Sequence, residues 1–389
     1  MQTLPSSPTS TQRLSISQVQ AQDFALPLLF ILFGLIMGSW AGRIPALAAG
    51  VHVSHAALSM VLLCGGLGAV VSYPISSWLM GNYGARKTLL IAGLALLADL
   101  VSIGIAPTVP RLMLSVLMLG ITASTFDVAV NSAATRREKE TGKSELSKLH
   151  GLGCAGGLAG ATLGSLMASL HIAPGTHFLM LAGPLALLLW AAYQMLDVSD
   201  ACEQVEKKKF ALPRGPLALL GAIGFLGSMA EGSIADWSGV FLREHFHATD
   251  GLAPLALSAF SVMMLTSRMA GDRLKARHGA KQLVSSGAAL AAAGLFFAVL
   301  SPNAVFALGG FAVAGLGLSL VFPFVFSAAG AQGPAALAGV ASMAYTGSLM
   351  GPPAIGAIAQ GLGMQAAISW IAVLALAIAW VAKRSPLLK

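Results

Sequence analysis

Three carboxylates lie in stretches of sequence that are otherwise apolar enough to cross a membrane: Asp127, Glu231 and Asp236. A charged side chain inside a bilayer is unfavourable by several kcal/mol unless it has a partner or lines a water-filled cavity. Burial favours the neutral form of a carboxylate, so such groups could bind and release protons near neutral pH. The three acids therefore indicate proton or ion chemistry inside a membrane.

Asp127 and Asn131 are four residues apart, which places them on one face of a helix. Asp127 lies roughly 10 Å, at 1.5 Å per residue, from the end of its apolar stretch. Asn131 offers a donor and an acceptor to a hydroxylated solute. We predict that Asp127 binds protons and that Asn131 contacts the solute. The alternative is that Asp127 is a structural acid, hydrogen-bonded to neighbouring helices.

Glu231 lies near the middle of its apolar stretch, residues 216–242. No Lys or Arg is expected at that depth in any stretch, so Glu231 is predicted to bind protons instead of forming a structural ion pair. Asp236 follows five residues later and points about 140° away on a helix. The two acids are therefore expected to have different roles.

The composition excludes a soluble globular protein, because hydrophobic residues make up 56% of the 389 residues and charged residues only 10%. Soluble domains carry about a quarter charged residues. The net charge of +8 comes from cations in short segments between apolar stretches. Nucleic-acid binding, which needs a contiguous basic face, is therefore not predicted.

Enzymatic chemistry is not predicted either. The three cysteines (Cys64, Cys154 and Cys202) have no metal-ligand spacing, and no Ser-His-Asp arrangement or nucleotide loop is present. Gly151 to Gly156 matches a dinucleotide fingerprint but lacks the strand that should precede it, so close helix packing is the better interpretation. We expect no enzyme activity, no cofactor and no metal.

A membrane helix needs about 20 mostly apolar residues, and twelve such runs are present, which predicts an all-α membrane protein with twelve transmembrane helices. The runs are 24–48, 56–80, 88–106, 111–134, 149–170, 178–197, 216–242, 252–274, 281–300, 304–329, 337–361 and 365–382. The expected organisation is a disordered cytoplasmic tail over 1–22, a six-helix bundle over 23–197, a cytoplasmic linker over 198–214, a second six-helix bundle over 215–383 and a cytoplasmic tail over 384–389.

The loop cations predict the orientation, because cytoplasmic loops carry the excess of Lys and Arg. With the N-terminus inside, 20 of the 23 cations, Arg268 among them, fall on the cytoplasmic side. Only Arg43, Arg111 and Arg243 fall outside. Both termini are therefore predicted to be cytoplasmic.

An internal repeat divides the chain. Gly84-Ala85-Arg86 after the second span aligns with Gly279-Ala280-Lys281 after the eighth, at an offset of about half the chain. Two membrane halves related by a repeat are a transporter architecture, with the solute site between them near the midplane.

Over residues 23–383 the chain resembles the major facilitator superfamily of transporters. That superfamily carries a Gly-x-x-x-Asp-Arg-x-Gly-Arg-Arg-like motif after its second helix, and residues 77–86 hold a degenerate copy of it. The second copy keeps Arg277, Gly279 and Lys281. The resemblance implies a cytoplasmic latch, although the first copy lacks the Asp of the usual salt bridge.

Four patches are similar to the YbjJ-like and MosC-like bacterial inner-membrane permeases: residues 39–45, 150–151, 231–237 and 351–353. That branch is distantly similar to the fucose permeases, whose Glu-x-x-x-Asn is matched by Asp127 and Asn131 with Asp in place of Glu. The resemblance implies a multi-pass protein of the bacterial inner membrane, a monomer whose partners are the lipid bilayer, a small-molecule substrate and protons.

In that superfamily the first and seventh helices face each other. Arg43 and Asp236 have equal depth in those helices, which predicts an ion pair that closes the periplasmic side; the alternative is that each reaches headgroup water. Trp40 and Trp237 near the same ends could stack on a solute or belong to the interfacial aromatic belt. His150 could relay protons or cap the fifth span.

The expected function is therefore a secondary active transporter, proton-coupled, of a sugar-like or polyol-like solute by alternating access. Two alternatives remain open on the sequence. One is proton-driven efflux of an amphipathic compound, and the other is a membrane sensor that keeps the fold without moving a solute.

Overall fold

A computed structural model covers the chain and describes residues 16–51, 53–141, 146–196 and 214–388, which are helical apart from short connections. The helices are α1 (Ile16–Gly50), α2 (His55–Gly104), α3 (Val109–Thr141), α4 (Leu146–Ser169), α5 (Pro174–Met195), α6 (Pro216–Phe246), α7 (Leu255–His278), α8 (Ala280–Leu300), α9 (Ala304–Leu318), α10 (Val321–Gly330), α11 (Pro334–Leu362) and α12 (Met364–Arg384). The predicted linker over 198–214, apart from Arg214, and the first fifteen residues of the predicted tail lie outside the described residues.

The helix lengths fit a membrane protein: in the described ranges, nine helices are long and apolar enough to span a bilayer. With 24 and 29 residues, α7 and α11 are also long enough to cross a bilayer. The 50 residues of α2 contain two predicted spans, and α9 and α10 together form one. The described helices therefore give the twelve predicted crossings.

The chain reverses direction within α2 at Gly84, which has a non-helical φ of 73°. The first limb of α2 runs parallel to α3, since residue numbers rise together along the contacts, and the second limb runs antiparallel. The contacts are Gly65 with Val116, Ser76 with Thr125, Gly93 with Phe126, and Ser102 with Ser115.

The two halves repeat the same packing. Gly279, between α7 and α8, has a φ of 74°, which matches the 73° of Gly84. In the first half α1 packs on α4 and α5, and in the second half α6 packs on α11 and α12. The sequence repeat is therefore a repeat of turn geometry and of helix pairing.

Glycines allow α1 and α4 to pack closely. A methyl group at Gly34 or Gly38 of α1 would meet the backbone of Gly153 or Gly157 of α4, and one at Gly156 would meet the carbonyl of Ile31. Small residues at membrane-helix interfaces let backbones approach in this way. The glycine run at the start of α4 is therefore a packing surface, as its sequence context predicts.

The halves meet along two seams, named after their helices. The α2–α11 seam brings Gly66 against Leu349, and the α4–α7 seam joins Thr162 to Ser258 through hydroxyls 3.4 Å apart. We call the end of the bundle with Arg43 the Arg43 end and the opposite end the Arg86 end, after a residue of the α2 turn.

Candidate functional site

Glu231 lies halfway along α6, fifteen residues from either end. Its Oε1 atom is 3.7 Å from Nη2 of Arg268, and the two side chains are 29% and 24% exposed. The other carboxylate oxygen, Oε2, is buried and has no hydrogen-bond partner among the described residues. The acid is therefore half paired, because one oxygen faces a cation beyond hydrogen-bond distance and the other faces none.

Arg268 corrects the expectation that no cation occupies midplane depth. It lies thirteen residues into α7, within the predicted span 252–274. Sequence reasoning grouped Arg268 with the loop cations because Arg273, Lys275 and Arg277 follow closely. Its depth in the span was the signal that could have identified it as a partner for Glu231.

Arg268 also connects the two halves. Its Nη1 atom donates to the Cys154 sulfur on α4 at 3.3 Å. His150, one helical turn from Cys154, lies within electrostatic range of Arg268 and contacts the Phe30 ring edge-on at 5.1 Å. The predicted relay residue is therefore near the Glu231 pair, and its role stays a prediction.

The third contact of Arg268 is to a break in a helix. Its Nε atom donates to the Ser319 carbonyl at 3.0 Å, between the end of α9 and the start of α10. Pro323 has no N–H, so it cannot donate to the carbonyl four residues earlier, which is that of Ser319. The Ser319 hydroxyl donates to the Ser267 hydroxyl at 2.7 Å. The guanidinium thus replaces a helical donor that the sequence lacks.

Asp127 and Asn131 are in direct contact. The Asn131 Nδ2 atom donates to Oδ1 of Asp127 at 3.0 Å and to its main-chain carbonyl at 2.8 Å. The shared face predicted from their spacing is therefore present, and the Asn131 carbonyl oxygen remains available as an acceptor. The proton-binding and solute-binding roles of the pair stay predictions.

Two tyrosines that sequence reasoning missed lie close enough to Asp127 to interact with it electrostatically: Tyr73 of α2 and Tyr345 of α11. Both are partly exposed, and they come from different halves. The depth of each residue can be counted along its helix from the Arg43 end. The count is eighteen residues for Tyr73 and for Asp127, and seventeen for Tyr345. All three therefore lie at one depth beside the α2–α11 seam. These exposed tyrosines carried no distinctive sequence signal.

The predicted ion pair between Arg43 and Asp236 is not formed in this conformation. Arg43 is 2% exposed, and its guanidinium donates to the carbonyls of Gly164 and Ile172. The carboxylate that interacts with it electrostatically is Asp250, in the connection after α6. Equal depth in two helices did not specify the direction in which each side chain points.

Within the described residues, Asp236 has neither a hydrogen bond nor an ion pair. It lies one turn from Gly232 and one turn from Gly239 on α6. An added methyl at Gly239 would contact Pro45 of α1. Asp236 is therefore an acid of α6 without a described partner, and the two glycines one turn away approach α1 and α11.

Two close polar contacts involve residues at the Arg43 end. His55 Nε2 of α2 is 2.7 Å from Glu244 Oε2 of α6, which joins the halves directly. Arg243 Nη1 is 2.6 Å from Asp250 Oδ1, and Asp250 in turn faces Arg43 of the first half. These residues are the candidate gate in the structure.

Trp40 and Trp237 are buried at this closed end, 6% and 0% exposed, and the Trp237 indole ring lies 6.2 Å from the His55 ring. In the described residues the Trp237 Nε1–H has no acceptor. A solute could reach these rings only after the Arg43 end opens. Their predicted solute contact is untested.

The sequence of this chain is similar to a family profile and to several bacterial proteins. The sequence profile described as Major Facilitator Superfamily matches residues 26–346. An uncharacterized transporter of Sinorhizobium fredii, y4wD, is 32% identical, covering 92% of this chain and 96% of that protein. An uncharacterized MFS-type transporter of Yersinia pestis is also 32% identical, covering 92% and 94%. Membrane protein MosC of Rhizobium meliloti is 29% identical, covering 89% and 86%.

Solved structures show the same fold at low sequence identity. The crystal structure of the nucleoside transporter NupG superimposes with a TM-score of 0.68 at 15% identity, covering 94% of this chain and 98% of that one. A single-site variant of NupG gives a TM-score of 0.74 at 14% identity, covering 94% and 100%.

Proposed function

This chain belongs to the major facilitator superfamily, and we propose that it is a proton-coupled secondary transporter of a small polar solute. The observation that carries the proposal is the loose pair between Glu231 and Arg268, 3.7 Å apart in the middle of the membrane. A carboxylate with one free buried oxygen can accept a proton without first breaking a strong bond. Protonation then removes the negative charge that faces Arg268.

The second acid supports a coupled mechanism. Asp127 lies in the first half and Glu231 in the second, so protonation of both would change the charge on each side of the space between the halves. Intramembrane acids of transporters commonly mark proton pathways. Asn131 and the hydroxyls of Tyr73 and Tyr345 offer hydrogen bonds to a sugar-like or polyol-like solute beside Asp127.

Alternating access is supported by the contacts that join the halves at the Arg43 end. The hydrogen bond between His55 and Glu244 and the interaction of Arg43 with Asp250 join the halves at the Arg43 end. Transporters of this type open one end as they close the other by rocking one half against the other. In this proposal the Arg43 end separates when the Arg86 end closes.

In this proposal the Arg86 end lies on the cytoplasmic side of a bacterial inner membrane. The loop cations favour this orientation, and the relatives from Sinorhizobium, Yersinia and Rhizobium are bacterial proteins. Both termini would then be cytoplasmic, and the protein would act as a monomer.

The test uses purified protein reconstituted in proteoliposomes. A thermal-shift screen with L-fucose, D-glucitol, myo-inositol and uridine identifies binding, because a ligand of the folded state raises its apparent stability. Uptake of the radiolabelled binder is then driven by an inward proton gradient. Wild type should accumulate the solute, whereas E231Q and D127N should exchange it without accumulation. If both variants still accumulate the solute, proton coupling through these acids is wrong.

The same experiment separates the alternatives. A sensor would bind a probe and show no counterflow in liposomes. An efflux protein would respond to an amphipathic probe such as ethidium instead of to the polyols.

A further inference from the structure

Arg268 has more hydrogen-bonding capacity than its surroundings use. A guanidinium carries five N–H donors in a planar fork that fits a carboxylate. Among the described acceptors around it, only the Ser319 carbonyl, 3.0 Å from Nε, is strong and at hydrogen-bond distance. Nη1 faces the thiol of Cys154, a weak acceptor, and Nη2 lies 3.7 Å from Glu231. The two terminal nitrogens thus lie where α7 contacts the first half, and among the described residues neither has a strong acceptor at hydrogen-bond distance.

The charged and titratable groups around this fork come from two helices. Glu231 faces it from α6, and His150 and Cys154 face it from α4. The described contacts from α9 and α10 are the uncharged Ser319 and its neighbours. Glu231 is therefore the one described carboxylate within ion-pair distance, and its protonation leaves a positive charge that only an anion can balance.

The second polar cluster lies on the other seam between the halves. Arg268 is on the α4–α7 seam, thirteen residues from the Arg43 end of α7, and Tyr345 is on the α2–α11 seam, seventeen residues from that end of α11. Four residues of helical rise separate the two depths by about 6 Å. A solute bound between the halves would therefore have a cation on one side and hydroxyl and amide groups on the other.

We propose that the transported solute is a small hydroxylated carboxylate, a sugar acid in chemical class, whose carboxylate binds the terminal nitrogens of Arg268. Its hydroxyl groups bind Asn131, Tyr73 and Tyr345. This proposal rests on the proposed transport function and adds the charge of the solute. The carboxylate replaces Glu231 beside Arg268, and Glu231 takes up one proton from water as this occurs. One proton therefore accompanies one anion, and the charge of the site is conserved.

The first test compares pairs of probes that differ in the acid group. D-galacturonate is compared with D-galactose, and D-gluconate with D-glucitol, by calorimetric titration of the detergent-solubilised protein. In at least one pair the acid should bind roughly tenfold or more tightly than its neutral partner, as expected for charge-assisted hydrogen bonds. In weakly buffered solution its binding should take up about one proton per protein, by the exchange of Glu231 for the carboxylate. If no acid binds better than its neutral partner, the proposal is overturned.

The second test removes the cation without breaking the helix. The variant R268Q leaves the Ser319 carbonyl without its donor, so it is made in a P323A background, where the substituted alanine supplies an N–H to that carbonyl. P323A alone is the reference. The double variant should remain monodisperse and lose the roughly tenfold preference for the acid over its neutral partner, whereas the reference keeps that preference. A preference that survives in the folded double variant contradicts the assignment to Arg268.

The third variant separates this inference from the transport proposal. E231Q resembles the protonated acid, so it should bind the carboxylate at least as tightly as wild type but without proton uptake. If a neutral polyol is bound and accumulated with protons, the carboxylate inference fails and proton-coupled transport stands. If the acid binds but shows no counterflow, transport fails and the ligand class stands.

Discussion

The Nε atom of Arg268 donates to the main-chain carbonyl of Ser319, which Pro323 leaves without a helical donor. The break between α9 and α10 is therefore stabilised by the cation that also faces Glu231. Broken helices are tolerated in membranes when other groups satisfy the freed backbone. The position of Arg268, and with it the Glu231 pair, is thus set by a backbone contact.

Removal of the Arg268 donor should destabilise the protein, and substitution of Pro323 should recover part of the lost stability. R268A leaves a buried carbonyl unpaired, at a cost of about 1–3 kcal/mol. P323A restores an N–H, so R268A/P323A should melt at a higher temperature than R268A in a detergent thermal-unfolding assay. R273A, which removes an exposed cation from the same helix, is the control and should change little. An equal melting temperature for R268A with and without P323A would show that the carbonyl is satisfied by another group.

The closed Arg43 end should depend on Asp250 and not on Asp236. D250N removes the carboxylate that pairs Arg243 and faces the buried Arg43, so it leaves two cations uncompensated. The matched variant D236N removes an acid without a described partner. In a cysteine-free background, spin labels at the exposed Thr108 and Pro302 report the separation of the halves at this end.

D250N should shift the label distances toward a wider population, and D236N should leave them near those of the parent. The charge exchange of Arg43 with Asp236 should not restore closure, because the two groups are not paired. If D236N widened the label distances and D250N did not, the gate would be the pair of Arg43 and Asp236 that helix depth predicted.

The seam between α2 and α11 also requires a glycine for closure. A methyl group at Gly356 would meet the side chain of Ser59 and the main-chain oxygen of His55 across the seam. G356A should therefore favour separation of the Arg43 end without affecting either half alone. G361A, five residues later, adds a methyl that meets nothing within 4 Å. Faster modification by a maleimide of a cysteine placed at Ser59 in G356A, compared with G361A, checks the effect, and equal rates would contradict it.

Much of the fold could be predicted because it depends on local chemistry. Apolar length specifies the spans, and the repeated Gly84 and Gly279 mark equivalent turns whose backbone only glycine adopts easily. The break between α9 and α10 was not predicted, although Pro323 was visible, because a proline alone does not determine whether a helix bends or breaks. Whether the helix breaks at Pro323 depends also on Arg268, about fifty residues earlier in the chain, which contacts the freed carbonyl.

The site was less predictable, because its contacts join helices distant in sequence. The contact of Asp127 with Asn131 lies within one helix and followed from their spacing. The partner of Glu231 did not, since Arg268 resembled the start of a basic loop. The depth of Arg43 in its helix was not enough to predict its partner. The rotation of the helix about its axis determines whether Arg43 faces Asp236 or Asp250.

The equivalence of the two halves can be tested at their turns. Gly84 and Gly279 have φ values of 73° and 74° with extended ψ values of 170° and 154°, a region that other residues enter at a cost of about 1–3 kcal/mol. G84A and G279A should each lower the melting temperature in detergent, and by similar amounts if the turns are equivalent. G81A is the control, because Gly81 lies inside α2 with space for a methyl group, and alanine is the better helix former. A G81A variant that melts as early as G84A would show that the loss comes from the replaced residue type and not from the backbone conformation. A loss in G84A without one in G279A would show that the repeat conserves the shape of the turn but not its contribution to stability.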